Sequence, residues 1–389
     1  MSSLTPQSSA SCPNPGSISL AGLSPEDAAI DLWYARCGGA TASTVAIQYG
    51  WLQGEFTAPI TGEAEPLSVS SVQQSPNREI RHSHFDHRLQ AMFREGGNVP
   101  PIWARAAGQD TVVVGITWVD EYQAILTRPD SGIRTVADLK GRRLGLPLHE
   151  GSIIDFPRSM AVHGFVSALG LAGLTLKDAE LIDIVAPAVD HRDRTEAERT
   201  QQRQGGGVFP LQALLSGKVD AIYTKGSFGL KDIAAHQLHQ VVDLNSYADP
   251  VVRINNGTPR PITVGRDFLK ARPDVVARYL AVLLRTGTWA ETHPTEVRQA
   301  IARESHATEQ EIVFAYGNDL HLRLTPKLSA EYIRGLEIQK DHLLEYGFLP
   351  NDFSVRDWID YAPLEAARKL VENRPVLVYG EKEAEPQPA

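Results

Sequence analysis

The 389-residue chain is expected to fold as an α/β protein with mostly parallel sheets, and three features of the sequence carry that expectation. Short apolar runs alternate with helix-length amphipathic stretches, the pattern of strands joined through helices. The run "TVVVGITW" (111–118) is continuously apolar, as befits a strand covered on both faces. The stretch "FPLQALLSGK" leads directly into "VDAIYTKG", a helix feeding a strand with only a short turn between them.

Taken in order, "AIDLWYAR" reads as a strand and "ATASTVAIQYGWLQGEF" as one helix, entered through Cys37-Gly38-Gly39. Thr41, Ser43 and Thr44 suit a helix start, where unpaired N–H groups and the helix dipole favour an anion. "YQAILTR" is a further strand, and "TVADLKGRRLGLP" a short helix leading to another. A helix at "PRSMAVHGFVSALGLAG" and a strand at "AELIDIVA" follow. Residues 190–207, "DHRDRTEAERTQQRQGGG", are polar and glycine-ended, an exposed loop or a lid. From Arg266 onward the pattern is helical, and residues 1–22 and 379–389 are read as disordered tails.

Composition narrows the function. An apolar content of 42% with 22% charged residues is ordinary for a folded soluble chain, and a net charge of −9 argues against nucleic-acid binding. No stretch approaches the roughly 20 apolar residues of a membrane span, and the N-terminus lacks a basic and apolar leader. Of the two cysteines, Cys12 sits in the Ser/Pro-rich tail, so Cys37 is expected to be a free thiol in a reducing cytoplasm. No cofactor is expected, and the chain is expected to act as a monomer on a small molecule.

Four segments resemble the periplasmic substrate-binding-protein fold of the nitrate, sulfonate and thiamine-precursor group. They are "GITWVDEYQAILTRPDSGIRTVADLKGRRLGLP", "SALGLAGLTLKDAELIDI", "LQALLSGKVDAIYTKG" and "VGRDFLKARPDVVARYLAVLL", spanning Val112 to Leu284. The resemblance implies a two-lobed (type II) fold with a helical C-terminal part and ligand in the cleft between the lobes. Lobe I would comprise 23–125 and 251–378, and lobe II 126–250.

A second constellation is more particular. His84-Phe85 stands ten residues before Arg94-Glu95-Gly96-Gly97-Asn98-Val99-Pro100-Pro101, and Cys37 follows "WYAR". Together they resemble the aromatic sulfinate desulfinases of dibenzothiophene desulfurisation. The resemblance implies that Cys37 is the catalytic thiol, His84 its hydrogen-bonding partner and Arg94 the anchor for the sulfinate oxygens. It also makes Gly97 a backbone N–H donor; Gly96 beside it and Phe85 are further candidates for substrate binding. A guanidinium can grip two oxygens through paired N–H bonds, and glycine lets the backbone approach closely. Phe85, Trp103, Trp118, Tyr122 and Phe156 are candidates for an apolar wall around the aryl group.

Two routes use the same residues. The Cys37 thiol protonates the ring carbon that bears sulfur, or a Cys37 thiolate attacks the sulfinate sulfur. A helix start and Arg94 would lower the thiol pKa, whereas an apolar pocket and a bound anion would raise it. Protonation is favoured, because an anion attacking an anion is unfavourable. Two other readings stand beside this one: a sulfonate or heteroaromatic-anion binding protein, and a zinc hydrolase. The latter rests on "HSHFDH", whose His82, His84, Asp86 and His87 match a metallo-β-lactamase signature. The context of that motif lacks the fold's turns, so His82 and His87 are expected at the surface and no metal is expected.

Overall fold

A computed structural model describes residues 31–35, 38–57, 65–186 and 210–373. Cys12, Cys37, the 190–207 segment and both expected tails lie outside them. The chain begins with β1 (Leu32–Ala35), α1 (Ala42–Gln48), α2 (Trp51–Thr57), β2 (Val69–Ser71) and α3 (Arg78–Asp86). Next come β3 (Met92–Glu95), α4 (Val99–Ala106), β4 (Thr111–Thr117), β5 (Gln123–Thr127) and β6 (Arg143–Leu148). They are followed by α5 (Phe156–Gly170), β7 (Glu180–Val185), α6 (Leu211–Leu215), β8 (Ala221–Lys225), α7 (Gly226–His236), β9 (His239–Asp243) and α8 (Pro250–Arg253). Last are β10 (Arg260–Gly265), α9 (Arg266–Ala271), α10 (Pro273–Ala290), α11 (Pro294–Ser305), α12 (Glu309–Tyr316), α13 (Ala330–Glu345) and α14 (Ala362–Asn373).

The strands form two five-stranded sheets, ordered β2-β1-β3-β10-β4 and β7-β6-β8-β5-β9. Both are mixed, which corrects the expectation of mostly parallel sheets. In each, one strand runs against its two neighbours: β10 against β3 and β4, and β5 against β8 and β9. The reason is the crossover. β5 arrives from the first sheet and β10 from the second, so each enters at the edge where its neighbours end. That shared edge is the cleft, the place where open α/β sheets hold ligands.

The expected helix over 40–56 is broken in two. Tyr49 ends α1, and Gly50, at φ +70°, turns the chain into α2. β4 is fully buried although it ends its sheet. Its outer edge is covered by later chain, with Ile116 and Lys327 exchanging both backbone bonds and Asp360 N donating to Val113 O. α10 packs beneath the first sheet, where the Tyr279 ring stacks on Phe93 with centroids 3.9 Å apart. The second sheet has its own core, in which Phe165, Leu169, Leu144 and Tyr223 pack together.

Candidate active site

β3 (Met92–Glu95) is a strand that the sequence pattern did not mark, and Arg94 is its third residue. It lies in the middle of the first sheet, paired with Ala35 of β1, and is 0% exposed. Its guanidinium is a brace. Nε donates to the carbonyl of His84 at 2.9 Å, and one terminal nitrogen donates to the carbonyl of Gly97 at 2.8 Å. These two bonds tie the end of α3 to the turn after β3, so His84, Phe85, Arg94, Gly96 and Gly97 come together at the cleft end of the sheet.

α3 is started by Asn77, whose side chain accepts from Glu79 N, and is ended by His87 in the left-handed conformation. His84 sits in its last turn. Gln73 Nε2 lies 2.9 Å from His84 Nδ1, and with the amide as donor the ring carries its proton on Nε2. Phe85 meets the His84 ring edge-on at 4.8 Å and faces Phe156 of α5 at 6.0 Å, so this aromatic pair joins the two lobes. The other aromatic candidates go elsewhere. Trp103 belongs to the core beneath α4, Trp118 packs on Tyr332 of α13, and Tyr122 packs on Phe314.

Ala35 lies opposite Arg94 in the ladder, and Cys37 comes two residues later. Next to it in sequence, Gly38 has a φ of +57°, which favours glycine. From there the chain is pinned from several sides. Thr44 Oγ1 donates to Gly39 O at 2.8 Å, and Arg260 donates to Ala40 O at 3.3 Å. The buried carboxylate of Glu95 accepts from Ser43 N at 2.9 Å and from Thr117 Oγ1 at 3.0 Å. Burial pushes the Glu95 pKa up, against these hydrogen bonds and the charge of Arg260. Motif spacing missed Glu95 and Arg260 as anchors of this loop. Their partners lie far away in sequence, although Glu95 stands next to the recognised arginine.

The "HSHFDH" residues do not converge. Asp86 is ion-paired with Arg88, and the imidazole Nδ1 of His87 contacts the Phe85 carbonyl. Among the described residues, no three His, Cys, Asp or Glu side chains are grouped to hold a metal. His82 and His87 are buried rather than at the surface, because α3 packs against α4 and the turn at 72–74. Burial and the nearby Arg94 charge push the His87 pKa down to about 3, so it is neutral.

The N-terminus of α4 is closed by a residue from the returning crossover. Asn98 N donates to Asn256 O at 2.8 Å and Val99 N to Asn256 Oδ1 at 2.9 Å, while Pro100 and Pro101 have no N–H to offer. A Cβ on Gly97 would stand 2.7 Å from both amide atoms of Asn256. Gly97→Ala is therefore expected to displace this side chain, lower stability by about 1–3 kcal/mol and cut activity about tenfold or more. Urea denaturation and steady-state kinetics on one preparation check both effects.

Such a fold, with polar groups gathered at the cleft ends of its strands, is that of a two-lobed substrate-binding protein. No family model matches the chain. The escherichial sulfonate-binding protein SsuA superimposes with a TM-score of 0.58 at 17% identity, covering 85% of this chain and 91% of that one. The crystal structure of the desulfurization enzyme DSZB superimposes more closely, with a TM-score of 0.67 at 24% identity, covering 87% of this chain and 99% of that one. A cysteine-to-serine mutant of DSZB in complex with biphenyl-2-sulfinic acid gives 0.66. In sequence, 2'-hydroxybiphenyl-2-sulfinate desulfinase of Rhodococcus erythropolis is 27% identical over 301 residues, 71% of this chain and 80% of that protein. The chain is a relative of that desulfinase, built on the fold of the sulfonate-binding proteins.

Proposed function

We propose that the protein is a desulfinase that cleaves the carbon–sulfur bond of an aromatic sulfinate, 2'-hydroxybiphenyl-2-sulfinate or a close analogue, to sulfite and the arene. The observation that carries this reading is Arg94. It is buried beside Ala35, two residues before Cys37, and holds His84 and Gly97 to one point, in a chain related to a desulfinase over most of its length.

In this reading Cys37 delivers its proton to the ring carbon bearing sulfur. The C–S electron pair then returns to the ring, and sulfur dioxide departs. Water converts sulfur dioxide to hydrogen sulfite and a proton, and that proton restores the thiol. His84 orients the thiol and relays the proton. Arg94 supplies positive charge at the sulfinate and keeps the carbonyls of His84 and Gly97 in place. Phe85 and Phe156, stacked on each other, form one apolar wall for the aryl group.

Strand membership of the two sheets supports lobe I (23–125 and 251–378) and lobe II (126–250) except at the first boundary, where β5 (Gln123–Thr127) pairs only within the second sheet and moves the start of lobe II to about residue 123. Catalysis by a free thiol suits the reducing cytoplasm. No helix among the described residues is long and apolar enough to cross a membrane.

Purified protein incubated with 2'-hydroxybiphenyl-2-sulfinate is expected to release sulfite with turnover. A shorter match, 36% over 86 residues, is to a putative aliphatic sulfonates-binding protein of Escherichia coli, which motivates an alkanesulfonate control by calorimetry. Tight alkanesulfonate binding without sulfite release from the sulfinate would replace the enzyme reading with a binding one.

A further inference from the structure

Asn256 lies on the returning crossover between α8 and β10, and its side chain touches both lobes. Its Oδ1 accepts from Val99 N of α4 at 2.9 Å, which fixes which way the amide faces. Its Nδ2 therefore points the other way, and its one partner among the described residues is the Met160 sulfur of α5, at 3.5 Å. A thioether is a weak acceptor, and an amide nitrogen carries two protons. The donor is thus poorly satisfied at a place where everything around it is well bonded. The amide rests on Gly97, whose carbonyl is held by Arg94, and Asn256 retains 9% exposure, so it is not sealed off.

We infer that the Asn256 amide is a further substrate-binding group, with Nδ2 donating to a sulfinate oxygen that replaces the Met160 contact. The inference rests on the desulfinase reading. A bond from Nδ2 to an anionic oxygen is stronger than one to a thioether, and its donor is pre-oriented by Val99. Because the side chain bridges α4 and α5, the same bond also registers the anion against both lobes. The closed N-terminus of α4 fits this assignment. Its own N–H groups are spent on Asn256, so that end of the helix presents the amide in place of bare backbone donors.

Asn256→Asp is the test, since it keeps the shape and the oxygen that accepts from Val99 but exchanges the donor for an oxygen that repels an anion. Wild type and variant are compared for KM and kcat with 2'-hydroxybiphenyl-2-sulfinate and for Ki of the neutral arene, 2-hydroxybiphenyl. KM is expected to rise about tenfold or more, with a smaller change in kcat. The arene Ki is expected to stay within about twofold. A purely structural role would weaken both ligands alike. Equal losses, or an unchanged KM, would overturn the assignment while a wild type that turns over leaves the desulfinase reading standing. A wild type that releases no sulfite overturns both. If Asn256→Asp does not fold, Asn256→Ser, which lacks the amide, is judged by the same two constants.

Discussion

Arg94→Met should cost about 3–5 kcal/mol of stability and lower sulfite release about 100-fold or more. Methionine fills much of the volume, so the loss is not chiefly one of packing. The carbonyls of His84 and Gly97 lose the Arg94 donor, and a buried polar group left unmet costs about 1–3 kcal/mol. The same change frees the end of α3 from the turn after β3, so His84 and Gly97 no longer share one geometry. Arg94→Lys separates charge from bracing. An ammonium restores the positive charge but cannot reach both carbonyls in the planar fork of a guanidinium. It should recover part of the sulfinate affinity and little of kcat. Urea midpoints with kcat and KM for the three proteins decide the matter; a Lys variant within about twofold of wild type in kcat would show that bracing is unimportant.

The second large effect is on acid stability. His163 of α5 and His342 of α13 stack with ring centroids 3.8 Å apart, buried between a lobe II helix and the C-terminal helical part. Burial pushes His163 down to about 4, against its hydrogen bond to Gln339. Burial and the neighbouring His163 push His342 down to about 2. Both rings are neutral when folded, whereas the unfolded chain takes up protons below about pH 6.5. The stability they contribute is therefore complete above that pH and is lost as pH falls toward 4. Between about pH 6.5 and 4.5 the loss approaches about 2 kcal/mol for each ring. Carboxyl groups raised by burial, Asp86, Glu95 and Asp243, act in the opposite sense, so a difference between variants is cleaner than one curve. His342→Phe keeps an aromatic ring against His163 and removes the titrating group. Its stability should fall by about 2 kcal/mol less than that of wild type over the same interval. Parallel slopes in urea denaturation at several pH values would contradict this.

These effects also mark how far the sequence could be read. Elements with a strong period or a continuous apolar run, such as β4, α5 and α10, lie where pattern placed them. β3 escaped because "MFRE" ends in two charged residues, and only the fold shows that Arg94 and Glu95 are charges spent on buried neighbours. β10 escaped because "RPITVG" opens with Arg-Pro, a pairing that signals a turn more readily than a strand. The strand directions escaped because they depend on where the chain crosses between sheets, which no local window contains. At the candidate site, the family resemblance singled out His84, Arg94 and Gly97 within fourteen residues, and the structure joins them through the Arg94 guanidinium. Asn256 and Arg260 were not singled out, since Val99 and Ala40, the groups they hold here, stand 157 and 220 residues away in sequence. His82 and His87 were misplaced because polarity alone suggested a surface that α4 in fact covers.

Whether Cys37 breaks the carbon–sulfur bond is tested most directly by following sulfite and arene together from 2'-hydroxybiphenyl-2-sulfinate with wild-type protein and Cys37→Ser. Wild type should release the two products in equal amounts with repeated turnover. Cys37→Ser, with a hydroxyl far less acidic than a thiol, should fall about 1,000-fold or more while still binding the sulfinate. Full activity in Cys37→Ser, or no sulfite from the wild type, would contradict the account.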